Sequence, residues 1–162
     1  MKLPFLAKEY AIEALNVDDA EKLTAIHEED FVRPWSPNEF ESLLEQDTVF
    51  GFAAWRVGHR RGDPAGFVLA RLAAGEGEIL TIAVSRAHRR QGLGRDLMEA
   101  VLRELHAERA EALFLEVDET NNAAIAMYKR LGFTEIARRP GYYEHGADKR
   151  RTDALVMRRD PK

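Results

Sequence analysis

The run Arg89-Arg90-Gln91-Gly92-Leu93-Gly94-Arg95 carries the residue types that grip a phosphorylated ligand. Glycine at 92 and 94 removes the Cβ atoms that would hold a phosphate away from main-chain N–H groups. The three arginines supply charge that bonds phosphate oxygens in pairs. The run follows an apolar, β-branched stretch, Ile79 to Val84, which reads as a buried strand. It precedes Leu97, Val101, Leu102 and Leu105, whose spacing reads as one face of a helix. A helix starting there offers N–H groups without intrahelical partners and the positive end of its dipole. Together these features make a pyrophosphate grip. The spacing is neither G-x-G-x-x-G nor a P-loop, and a basic loop with a flexible cap fits the local features equally well.

A second set of residues could move protons. Glu116 sits in the apolar stretch Ala112 to Val117, read as a strand. A partly buried carboxylate there would suit proton abstraction, although strand alternation also lets it face solvent or pair with an arginine. Tyr128 lies near the end of the next helical pattern, where a half-buried core tyrosine is the plainer alternative. A phenol near pKa ~10 can protonate a leaving thiolate of basicity ~8.5. Asn121 or Asn122 reads as the cap of that helix. Trp35-Ser36 and Tyr142-Tyr143 place aromatic and hydroxyl groups in predicted loops, either as packing on a sheet rim or as a wall of an acceptor groove. His27, His59, His88, His106 and His145 show no ligand spacing, so no metal site is predicted.

The elements that must hold these groups follow in order. Tyr10 to Leu15 reads as a first strand, and Asp18 with Glu21 as a capping box opening a helix to about Glu29. Ser36-Pro37-Asn38-Glu39 opens a second helix, with serine as cap and proline at its first position. Val49 to Val57, Ala65 to Ala73 and Glu78 to Val84 read as an antiparallel meander, with turns at Gly58 to Pro64 and Gly75-Glu76-Gly77. After the helix from Gly92 to about Arg109 comes the strand at 112–117. A helix stopping at Leu131-Gly132 and closing strands at Phe133 to Arg138 and Asp153 to Met157 complete the chain. The strand-helix-strand-helix section implies one parallel pairing in an otherwise antiparallel sheet.

A chain of 162 residues, 45% hydrophobic and 32% charged, predicts one globular domain over residues 1–162. The absence of cysteine excludes disulfides and thiolate chemistry. The stretch Met1 to Glu9 lacks a signal-peptide core and no apolar run reaches the ~20 residues that span a bilayer, so the expected address is cytoplasmic, without a membrane. A net charge of −4 argues against nucleic acid as partner.

The pattern Arg89-x-x-Gly92-x-Gly94 resembles the coenzyme A signature of the GNAT acetyltransferases. The run Leu115-Glu116-Val117, Asn121 through Tyr128, then Leu131-Gly132-Phe133, resembles the second half of the same core. With Pro34-Trp35-Ser36 and Gly141-Tyr142-Tyr143, the chain is similar to RimI-type ribosomal-protein alanine N-acetyltransferases over roughly residues 34 to 157. The resemblance implies an acyl-CoA N-acyltransferase fold: a mixed α/β sheet, mostly antiparallel, with a parallel splayed pair at its centre and flanking helices. It implies acetyl-CoA as co-substrate, held at Arg89, Arg90, Gln91, Gly92, Leu93, Gly94 and Arg95. It further implies that Ile82-Ala83-Val84 offers main-chain groups to the thioester and that Asn121 touches the pantetheine arm. Glu116 becomes the general base, Tyr128 the general acid, and Trp35, Ser36, Tyr142 and Tyr143 the wall of the acceptor groove. The implied acceptor is the N-terminal amine of a ribosomal protein. A small amine such as a polyamine or aminoglycoside, or a non-catalytic acyl-CoA sensor, stays open. Asp118, where many relatives carry arginine, and Met127, where leucine is commoner, depart from the pattern, as does the longer segment His59 to Ala65.

Overall fold

The computed structural model describes residues 9–31, 33–60, 62–147 and 149–161; the stretch Met1 to Lys8, part of the segment read above for a signal core, lies outside them. The described residues form seven strands, β1 (Tyr10–Ala14), β2 (Val49–Arg56), β3 (Gly66–Ala73), β4 (Glu76–Val84), β5 (Ala112–Asp118), β6 (Thr134–His145) and β7 (Arg150–Arg159), together with four helices. These are α1 (Ala20–Asp30), α2 (Pro37–Leu44), α3 (Leu93–Ala107) and α4 (Asn122–Arg130). The strands pair in the order β1-β2-β3-β4-β5-β7-β6, with β4 and β5 parallel in a mostly antiparallel sheet. This is the mixed α/β class that the sequence predicts. Among the described residues, no helix is long and apolar enough to cross a membrane.

By internal contacts the chain forms two compact units, one of the residues up to Arg71 with Thr81–Val101, the other of Leu72–Leu80 with the residues from Leu102 on. In the first, β1 runs antiparallel to β2 from Tyr10 opposite Arg56 to Ala14 opposite Phe52, and β2 to β3 from Val49 opposite Arg71 to Ala54 opposite Gly66. Leu23, Phe40, Phe67 and Leu69 are fully buried in it. Ser36 and Glu39 close the capping box on α2 as read, with Glu39 N–H donating to Ser36 Oγ (3.2 Å) and Ser36 N–H to the Glu39 carboxylate (2.7 Å). The start of α1 differs. The box there is Asn16 with Asp19 around a 3₁₀ turn, Val17–Asp19, rather than Asp18 with Glu21. The Arg60 guanidinium sits 3.1 Å from Asp19 and fixes its carboxylate where it can accept the Asn16 N–H.

In the second unit the parallel register covers Glu76–Ala112, Gly77–Leu113 and Glu78–Phe114. Gly77 therefore lies inside β4, not in a turn: a Cβ there would stand 2.7 Å from Leu105 Cδ1. The turn is Ala74-Gly75, both at positive φ (52° and 81°), the geometry of a two-residue hairpin. Asn121 caps α4 by accepting the Ala124 N–H at 3.2 Å, and Gly132 at φ 93° ends the segment. The closing strands are longer than read. Pro140 and Gly141 look like breakers, yet a register irregularity between Arg139 and Tyr143 absorbs them, and Asp153 Oδ1 accepts the Gly141 N–H at 2.9 Å. Tyr142 and Tyr143 consequently stand in β6, not in a loop.

Candidate active site

In the first unit, a short 3₁₀ turn (Arg86–His88) leads from β4 to the loop that starts α3. The three arginines divide their work. Arg89 Nη2 holds Asp30 at 2.6 and 2.7 Å, and Arg89 Nε donates to the Val84 carbonyl at 3.3 Å, so this side chain fastens the loop to the end of α1. Arg95 pairs with Glu99 one turn along α3 at 3.0 Å. Arg90 is exposed and adopts φ 64°, and Gly92 adopts φ 75°. Left-handed residues alternating with ordinary ones turn successive N–H groups toward one side, which makes an anion-binding concavity. Gly92 C=O accepts from Asp96 N–H at 3.0 Å, so α3 begins there and its first-turn N–H groups have no intrahelical acceptor.

A Cβ built on Gly92 meets nothing within 4 Å, which leaves the approach to the main chain open. Gln91, Gly92, Leu93 and Arg95 line a depression there, together with Glu9 and Tyr10. These features fit a pyrophosphate, carried by main-chain N–H groups with Arg90 and Gln91 beside them. Gly94 lies in the first helical turn, and Leu93 is buried. On β4, Ala83 is buried while Ile82 and Val84 are half-buried.

The same unit holds Trp35 and Ser36 at the start of α2. A histidine fixes them, a role with no signal in the sequence beyond its helical spacing. His27 is buried in α1 and accepts the Trp35 main-chain N–H on Nδ1 at 3.0 Å, while Nε2 lies 3.1 Å from the Thr81 hydroxyl. Its ring stacks on Phe31 at 3.9 Å and against Trp35 at 5.1 Å. Burial pushes its pKa below the ordinary histidine value, against the pull of Asp30 and Glu39. The neutral ring with an acceptor Nδ1 is the form that this arrangement keeps.

The second unit carries the titratable residues. Glu116, in β5, is half-buried and pairs with Arg139 Nη2 at 2.9 Å, the arginine partner that its strand position allows. The Arg139 guanidinium also lies over the Tyr142 ring at 5.5 Å, and Tyr142 meets Tyr143 edge to face at 5.0 Å. Tyr143 is pushed up to about 12 by burial, then by the charges of Glu116, Tyr142 and Asp118, with Arg139 opposing. Tyr128 is buried rather than half-buried, packed edge to face on Phe133 at 5.8 Å. Burial, with Tyr143 as the second cause, pushes its phenol up to about 12. Tyr143 thus couples electrostatically to both Glu116 and Tyr128.

Asp118 and His145 are further partners on this edge, with Nε2 of His145 2.8 Å from Asp118 Oδ2. Only the pairing of β5, β7 and β6 brings these two residues together, and no local pattern announces it. Among the described residues, no group of three His, Asp or Glu side chains could hold a metal ion.

Residues 20–133 match the Acetyltransferase (GNAT) family. The chain is 33% identical over 146 residues to the [ribosomal protein bS18]-alanine N-acetyltransferase of Escherichia coli K12, covering 90% of this chain and 94% of that one. It is 32% identical over 151 residues to the N-alpha-acetyltransferase RimI of Mycobacterium tuberculosis, covering 92% and 91%. The crystal structure of the E. coli ribosomal-protein-S18-alanine N-acetyltransferase superposes with a TM-score of 0.84 at 32% identity, over 94% of each chain.

Proposed function

The chain belongs to the acetyltransferase (GNAT) family and is an acetyl-CoA-dependent N-acetyltransferase, and on that premise we propose that residues 1–162 act as one domain that acetylates the N-terminal α-amine of a protein. The acceptor we assign is the N-terminal alanine of a small-subunit ribosomal protein, as the names of the E. coli relatives specify for them. The observation that supports the chemistry is that one unit holds both a half-buried carboxylate, Glu116 in β5, and a buried phenol, Tyr128 in α4.

Acetyl-CoA supplies the activated acetyl group. We assign its phosphates to the loop from Arg89 to Arg95, its arm to Ile82-Ala83-Val84 and to Asn121, and the acceptor to Trp35 and Ser36 and to Tyr142 and Tyr143. An N-terminal amine has a pKa of ~7.7–8.0, so near pH 7 most of it is protonated and cannot attack. Glu116 takes that proton, directly or through a water. Its pair with Arg139 is half-exposed, and such pairs contribute at most about 1 kcal/mol, so an incoming ammonium can displace the guanidinium. Tyr128 donates its phenol proton to the departing sulfur. A phenol at about 12 stays protonated throughout the working range, so the donor is always loaded. Transfer to a thiolate of basicity ~8.5 is uphill by roughly 3–4 pKa units and is drawn forward only as charge builds on the sulfur.

The test is an acetyl-transfer assay on peptides with different free N-termini, alongside spermidine and free lysine. An alanine-starting peptide of the ribosomal protein is expected to turn over fastest. A small cationic amine is the competing acceptor, favoured by the second carboxylate that Asp118 gives this edge. Faster turnover of spermidine than of every peptide would establish it.

A further inference from the structure

The mechanism above leaves both Asp118 and His145 without a task. Glu116 and Asp118 are two residues apart on β5 and so face the same side of the sheet. Their charges both bear on Tyr143, which places the three groups in one neighbourhood. The two carboxylates are compensated differently. Glu116 has a full guanidinium, Arg139, at 2.9 Å. Asp118 has an imidazole: His145 Nε2 lies 2.8 Å from Asp118 Oδ2 and 2.8 Å from Thr152 Oγ1.

The remaining bonds fix the arrangement. Asp118 Oδ1 accepts from the Thr120 main-chain N–H (3.0 Å) and hydroxyl (2.9 Å). Burial works against the Asp118 charge, but these bonds, with those from Thr152 and His145, outweigh it and hold the carboxyl below its usual range. An ionised Asp118 can only accept, so the Nε2 facing it carries the hydrogen, and Nδ1 is left as the lone-pair nitrogen. The side chain is 36% exposed, so an acceptor or a water can approach the ring. The other groups facing this imidazole are Tyr143 from its own strand and Arg150, its register partner, from β7. A carboxylate that orients a histidine and leaves its second nitrogen open is the base half of a catalytic triad.

We propose that Asp118 and His145 form a second proton-accepting dyad on the acceptor edge, serving the same amine as Glu116; this rests on the assignment of that edge to the acceptor. The acceptor ammonium loses one N–H bond and keeps the electron pair on nitrogen. The proton bonds to the Nδ1 lone pair of His145, directly or through one water, and Asp118 Oδ2 holds the resulting imidazolium through Nε2–H. The imidazolium releases the proton to solvent before the next turnover. The amine then has two routes to its free form: Glu116 after Arg139 is displaced, and His145, which a carboxylate rather than a guanidinium holds.

The experiment is a pH profile of kcat/KM with the alanine-starting peptide for wild type, Glu116→Gln, His145→Gln and the double variant. Glu116→Gln is expected to lose about 100-fold at pH 7, while adding His145→Gln costs a further ~10-fold and leaves only the pH dependence that the amine itself imposes. Asp118→Asn in the Glu116→Gln background lowers the residual rate with acetyl-CoA affinity unchanged. A double variant with the same rate and profile as Glu116→Gln overturns the dyad. The tautomer is read independently in the unmutated protein from imidazole ¹⁵N shifts, so a variant that does not fold leaves the proposal exposed. A hydrogen on Nδ1 of neutral His145 overturns it as well. If only spermidine is turned over, the peptide acceptor is lost, and the same four proteins then decide the dyad on that amine.

Discussion

The loop at the start of α3 and the edge formed by β5, β7 and β6 are built on opposite plans. The loop presents main chain: Arg90 and Gly92 at positive φ, unpaired helix N–H groups, and two of its three arginines occupied by carboxylates of the protein itself. The edge presents side chains, Glu116, Asp118, Tyr143, His145 and Arg139, which β5 and β6 bring together across β7 and which perturb one another. A backbone site tolerates a changed side chain and fails when its conformation changes. A side-chain site behaves the other way round.

That contrast is broken most severely at the edge. Glu116→Gln and Tyr128→Phe should each lower kcat by ~10²–10⁴-fold at pH 7 with acetyl-CoA affinity intact, as single acid–base groups do. The Glu116→Gln loss should shrink as pH rises and free amine appears unaided; a constant loss across pH 6 to 9 would remove the base from Glu116. On the loop, Gly92→Val should weaken acetyl-CoA binding by about tenfold or more in calorimetry. The cause is the left-handed φ rather than a clash, since the Cβ has open space, and the same backbone strain should lower the melting temperature by a few degrees. Arg95→Gln, by contrast, should cost only a few-fold. Tyr142→Ala should raise the KM of the peptide several-fold without changing that of acetyl-CoA.

Smallest is a stability effect at His27. Burial lowers its folded pKa below the unfolded value of 6.5, so the neutral ring adds stability above that value and loses it as pH falls through the folded one. The melting temperature should drop by a few degrees from pH 7 to 5.5, and less so in His27→Gln. The phenol of Tyr128 acts with the opposite sign at the alkaline end. Raised from 10 to about 12, it adds stability below pH 10 that is lost as pH climbs toward 12, and Tyr128→Phe removes that loss.

The legibility of the sequence follows the same division. The helix caps at Ser36 and Asn121 and the stop at Gly132 are local events, set by residues within four positions of one another, and the spacing reveals them. The Gly92 loop is legible for the same reason. Gly77 reads as a turn residue because its necessity lies in Leu105, 28 residues away, whose methyl occupies the space a Cβ would need. The Asp19 cap is hidden because Arg60 supports it from the loop after β2. Tyr142 and Tyr143 read as loop because Pro140 and Gly141 break a regular strand, whereas an irregular one accommodates them. His27 and His145 gain their partners only through packing, and no periodicity encodes a hydrogen bond 54 or 27 residues long.

The irregularity at Arg139 to Tyr143 has a further effect on what can attach to this protein. β6 is the last strand of the sheet, and a regular edge strand is a template on which another chain can add its own strand. Pro140 offers no N–H, the Gly141 N–H already belongs to Asp153, and Glu135, Arg138, Arg139 and Glu144 put charge along the border. Strand addition, and the aggregation it seeds, is therefore discouraged along the middle of β6. A chain that meets this border is offered charged side chains instead of a row of free main-chain groups.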